Sequence, residues 1–106
     1  MKKVIFVSRH AGAWDWFKAS PYFAKWQNAE LVPHLDTSII SKGDVVIGTL
    51  PIHLAAEVCK KGAEFWYLSL NLRPDQRGKE LSPSEMAEVD GSLSRFSVIL
   101  KKGELT

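Results

Sequence analysis

The chain has 106 residues, of which 45% are hydrophobic and 25% charged, and 14 Lys and Arg against 12 Asp and Glu leave a formal charge of +2. That composition belongs to an ordinary globular protein with one core, too short for a catalytic domain joined to a separate binding domain, so a single domain over 1–106 is expected. The small basic excess falls short of the stripe a DNA-coating protein carries, and the single cysteine, Cys59, excludes an intramolecular disulfide and a cysteine-built zinc site.

Val4-Ile5-Phe6-Val7 is a continuous apolar run, the pattern of a central strand covered on both faces. The helix after Gly12 is expected to bury Ala13, Trp14 and Phe17. Pro21 breaks it, and Tyr22, Phe23 and Trp26 form a second aromatic piece, either a short helix packed on the sheet, which the aromatics favour, or an exposed lid. Glu30–Leu35 reads as a second strand, with Pro33 marking an edge because proline lacks the ladder donor. Asp36-Thr37-Ser38 starts a turn or one helical turn anchored by Ile39 and Ile40, and Val45-Val46-Ile47 is the third strand.

Pro51 suits the first position of the next helix, which places Ile52, Ala55, Ala56 and Cys59 on a buried stripe, makes Cys59 a buried free thiol, and ends at Gly62. Glu64–Leu70 is a fourth strand and Asn71–Lys79 a loop. Ser82-Pro83-Ser84-Glu85 carries the signature of a capped helix start, and Met86, Val89, Leu93 and Phe96 extend one helical face, with Ser97–Leu100 as a last strand. The order β-α-β-β-α-β-α-β implies an α/β fold, a small three-layer sandwich with a mostly parallel sheet. The chain starts without a secretory pattern and holds no apolar stretch of membrane-spanning length, so a cytoplasmic protein with no membrane partner is expected.

In such a sheet, turns at the carboxyl ends of neighbouring strands converge on one ligand site. Two turns here are polar: Ser8-Arg9-His10-Ala11-Gly12 and Gly48-Thr49-Leu50-Pro51-Ile52-His53. Arg9 can hold a phosphate with two parallel donors, and His10 can donate to a phosphate oxygen or move a proton. The alternative is an Arg9 paired with a carboxylate and a His10 at the surface. Gly12 lets helix-start N–H groups approach an anion, and Gly48-Thr49 resembles an anion-cradling turn although the lysine and spacing of a P-loop are missing. His53 can reach back toward that turn or face solvent beside Glu57. Ser69 and Asn71 would add neutral donors, while Arg73 and Arg77 either reach over a ligand or are simply solvated. Trp14 and Trp66 can stack on a base, but core packing explains both. His10, His34, His53 and the carboxylates form no metal-ligand pattern, so neither a metal nor a cofactor is expected.

The stretches Ser8–Trp16, Gly43–Cys59, Leu68-Ser69-Leu70 and Arg77–Leu81 resemble a small type III CRISPR-associated family of ring nucleases. The resemblance runs over nearly the whole chain. It implies a Rossmann-like fold related to the sensor domains that bind cyclic tetra-adenylate, a homodimer, and cleavage of that messenger to switch off its effectors. The implied reaction is attack of a ribose 2′-OH on the adjoining phosphate without a metal, leaving a 2′,3′-cyclic phosphate. Arg9 would then stabilise phosphoryl charge and His10 supply a proton, with His53 competing for that role, while Ser8, Thr49 and Ser69 hold phosphate or ribose. Gly12, Gly48, Leu50, Pro51, Asn71, Arg73 and Arg77 complete the expected contact set. A module of the same fold that senses or sequesters the messenger is the alternative, and so is a regulatory subunit acting through a protein partner.

Overall fold

The computed structural model describes residues 2–101. Apolar runs in the first half form three short strands, β1 (Val4–Val7), β2 (Glu30–Val32) and β3 (Val45–Gly48), and the longer β4 (Glu64–Asn71) and β5 (Asp90–Phe96) complete one sheet in the order β2-β1-β3-β4-β5. The first four strands run parallel, while β5 lies antiparallel to β4. β2 is an edge strand but stops at Val32, short of the expected Leu35, with Pro33, which lacks a ladder donor, directly after it.

Helices cover both faces. On one face lie α1 (Ala11–Ala19), α2 (Tyr22–Lys25) and α4 (Pro83–Ala87). Their Ala13, Trp16, Phe17 and Met86, together with Trp26 beyond α2, share a core with Val4, Phe6, Val45, Ile47, Leu68 and Leu93 of the strands. The other face packs α3 (Ile52–Lys60), through Ala55 and Val58, on Ile5, Val46 and Phe65. Alternate residues of β1 and β3 thus feed opposite cores, which explains why their sequences are apolar without interruption. The aromatic segment after Pro21 belongs to the first core: Trp26 is buried, and its indole meets Trp66 edge-on at 5.1 Å.

Several expectations are corrected. The helix begun by Ser82 has its full capping box but stops at Ala87, and Asp90–Phe96 is a strand. Gly91, Ser92 and Ser94 are poor helix formers, and strand alternation buries Leu93 between exposed serines. Residues 97–100 consequently lie outside the sheet, with the Val98 N–H donating to Cys59 Sγ at 3.4 Å. In α1 the third buried residue is Trp16, while Trp14 is half-buried. In α3 Pro51 is the N-cap, Ile52 is 76% exposed in the first turn, and Val58 takes a fully buried place. Cys59 is half-buried, Ile39 is exposed, and Ile40 alone anchors the turn at Thr37–Ile39.

Candidate functional site

The chain leaves β1 for α1 on one face and β3 for α3 on the other, so the crossover direction reverses between two adjacent strands. A crevice opens at the carboxyl ends of strands where this happens. Here it is a cleft of about 1210 Å³, larger than the roughly 300–1,000 Å³ of most small-molecule sites. It is lined by both polar turns, by residues 33–35 after β2, by the end of β4, and by residues 79–81 and Met86 from the far side.

The first turn is built by Ser8, whose Oγ accepts the His10 N–H at 3.0 Å and donates to the His10 carbonyl at 3.3 Å. This local bond turns the chain sharply from β1 into α1. Arg9 and His10 are exposed on the cleft wall, and among the described residues Arg9 has no ion-pair partner. Gly48 shapes the second turn. Its φ is 150°, and a Cβ there would lie 2.5 Å from the Val7 carbonyl oxygen, so only glycine lets β3 run this close to β1. Thr49 Oγ1 then donates to the Leu68 carbonyl at 2.9 Å, which ties the turn to β4. That bond uses the hydroxyl's only proton, so the Thr49 hydroxyl can offer a ligand only acceptor lone pairs.

Neither α1 nor α3 has a side-chain N-cap. In α1 the Ala11 and Gly12 N–H groups have no acceptor within the helix, and in α3 the same holds for Ile52 and His53. Ala11 and Gly12 line the cleft, whereas α3 reaches it through Pro51 and Leu54 and keeps Ile52 and His53 outside the wall, so free backbone donors face the cleft from α1. Each helix start carries the partial positive charge of its helix dipole. By contrast, α4 is closed by Ser82 and Glu85; the Ser82 backbone and side-chain bonds hold the Glu85 carboxyl below its ordinary range. Gly12 also serves packing, since a Cβ would stand 3.2 Å from Met86 Sδ.

Of the residues expected to form a site, Ser8, Arg9, His10, Gly12, Thr49, Leu50, Pro51 and Ser69 line the cleft. Gly48 is buried beneath the second turn, and His53 is exposed outside the wall. Asn71, Arg73 and Arg77 are also outside it. Asn71 donates to Asp90 at 3.5 Å, and Arg77 to the Leu72 carbonyl at 3.4 Å. Arg73 grips Asp75 at 3.2 Å, and this hydrogen bond lowers the Asp75 carboxyl from its usual range. Sequence reasoning missed His34, Tyr67 and Lys79, which do line the cleft, with Asp15 and Glu80 as its carboxylates. His34 had a usable signal: it follows the edge strand by two residues, at the same sheet edge as His10. Among the described residues no cluster of three His, Cys, Asp or Glu side chains can hold a metal ion, and no helix is long and apolar enough to cross a membrane.

Fold and cleft together define a small doubly wound α/β domain with a cleft of mixed polar and apolar lining at its switch point. Residues 5–99 match the family model described as "Putative CRISPR-associated protein (Cas_VVA1548)", and the chain belongs to that family. Comparison with curated proteins and with solved structures gives no match.

Proposed function

We propose that this CRISPR-associated protein is a ring nuclease that binds cyclic tetra-adenylate in the switch-point cleft and opens it by metal-independent attack of a ribose 2′-OH. The observation that carries this reading is the convergence on one cleft of the uncapped α1 start, with Ala11 and Gly12 in the wall, the Pro51 end of α3, and an Arg9 without an ion-pair partner among the described residues. Backbone donors at helix starts and a free guanidinium are the groups that bind phosphodiesters and stabilise charge on their oxygens. The volume of the cleft also suits an oligonucleotide better than a single metabolite.

In this reaction the 2′-oxygen bonds to phosphorus, the bond to the 5′-oxygen breaks, and a proton passes from the 2′-OH to a base and from an acid to the leaving 5′-oxygen. Arg9 neutralises the developing phosphoryl charge. His10 and His34 are the two imidazoles in the cleft wall and take the two proton roles. Supporting His34 over His53 is its position in that wall. The Ser8 hydroxyl and the acceptor lone pairs of Thr49 orient ribose and phosphate.

Purified protein incubated with cyclic tetra-adenylate in excess EDTA tests this. Linear products ending in 2′,3′-cyclic phosphate are expected by chromatography and mass. Arg9→Ala should lower the single-turnover rate by about 10²–10³, and His10→Gln or His34→Gln by about 10²–10⁴, with fold retained. An intact ring in a stable complex would make the protein a sequestering module instead. An intact ring with no complex would overturn the reading.

A further inference from the structure

The proposed reaction uses the phosphate side of the cleft and leaves an aromatic residue in its wall without a role. Tyr67 lies on β4, directly beside Gly48 of β3, and thus about 4.8 Å along the sheet from the start of the second turn. It points to the α3 side of the sheet with Phe65 and Ser69, by the alternation of the strand. Phe65 is covered by α3, whereas Tyr67 remains 37% exposed and lines the cleft. Its ring is fixed by two edge-to-face neighbours: Phe65 at 6.4 Å and 73°, and Phe96 of β5 at 5.8 Å and 87°.

We infer that Tyr67 is a stacking platform for a nucleobase, so that the cleft carries a base subsite beside its phosphate turns. Perpendicular neighbours hold a ring's orientation by matching positive edges to negative faces. A ring that is fixed and half-exposed presents a π-face whose ordering entropy is already spent, the property that makes aromatic platforms bind bases. Ser69, two residues along the same strand face and in the same wall, supplies a hydroxyl at the platform's edge. Phosphates held at the two turns, which follow the neighbouring β3 and, beyond it, β1, would set a nucleotide's polar and flat parts over matching surfaces. The inference rests on the proposed nucleotide reading for the identity of the ligand, but the subsite itself is specific to a base and not to a ring.

The test uses cyclic tetra-adenylate with one adenine replaced by fluorescent 2-aminopurine, and the linear dinucleotide adenylyl-adenosine, on wild type, Tyr67→Phe and Tyr67→Leu. Stacking should quench the fluorophore in wild type and in Tyr67→Phe. Tyr67→Leu should lose the quenching and bind both ligands about tenfold more weakly, with an unchanged far-ultraviolet spectrum. If Tyr67→Leu binds and quenches as wild type does, the inference fails while the cleavage reading stands. If the labelled ring is not bound but the dinucleotide is, with the Tyr67 dependence intact, the cyclic ligand is wrong and the subsite stands. Binding of neither ligand by wild type overturns both. A Tyr67→Leu protein whose only change is its solution mass would make the aromatic pair a subunit contact and overturn the inference.

Discussion

Asp44 is the one carboxylate in the described core, 2% exposed at the entrance to β3. Its two oxygens accept the backbone N–H groups of Lys3 at 3.0 Å and Ser41 at 2.8 Å, and the Lys3 ammonium lies 3.6 Å away. Burial alone would raise its pKa, but the two backbone bonds and the Lys3 charge outweigh burial and hold it below the ordinary value. Asp44→Asn presents an amide donor to one of those N–H groups, so a loss of about 1–3 kcal/mol is expected in urea unfolding at neutral pH. Because the folded pKa is the lower one, the carboxylate's contribution is complete above the unfolded value of about 3.9 and fades as pH falls below it through the folded pKa. The gap between wild type and Asp44→Asn should therefore close in acid; a gap that persists there would refute the charge-based account. At this scale the sequence was informative where chemistry sits next to a strand end. Arg9 and His10 follow an apolar run by two and three residues, and both line the cleft. Tyr67 and Lys79 reach the same cleft only through β4 and the loop before α4, which local pattern does not reveal. Asp44 reads locally as a turn residue because its partner Lys3 is distant in sequence.

Among the elements, β5 shows how two periodicities compete. Met86, Val89, Leu93 and Phe96 match a helical face, yet only Met86 lies in the helix. Strand pairing prevails because β4 offers an eight-residue edge and Gly91 is needed opposite Leu70. A Cβ at Gly91 would stand 2.7 Å from Trp16 Cε2 and Cζ2 and from Leu70 Cδ2. The glycine opens the space into which the Trp16 indole inserts, and that indole donates to the Val89 carbonyl at 3.0 Å. Gly91→Ala must displace the indole or bend β5, at a cost of about 1–3 kcal/mol. The expected outcome is a lower denaturant midpoint at unchanged slope, with a shifted tryptophan emission; an unchanged midpoint would mean that β5 is held mainly elsewhere. The capped start of α4 and the breaks at Pro21 and Gly62 were legible, since each depends on its own few residues. The far end of α4 was not, because a neighbouring strand decides it.

For the whole molecule, the number of uncapped helix starts bears on assembly. Each chain brings two uncapped helix starts to one cleft, α1 through Ala11 and Gly12 and α3 through its N-cap Pro51. Cyclic tetra-adenylate has four phosphates and two-fold symmetry, so a two-fold pair of chains would match one helix start to each phosphate, whereas one chain would leave two phosphates to solvent. The parallel strand order makes this reading possible: it gathers turns forty residues apart in sequence at one sheet edge. Isothermal titration with a ring whose ribose 2′-OH groups are replaced by hydrogen removes the proposed nucleophile and measures binding alone. One ring per two chains is expected, with native mass spectrometry showing the same complex. One ring per chain, with the complex at the mass of a single chain plus ring, would refute the symmetric arrangement and require each cleft to act by itself.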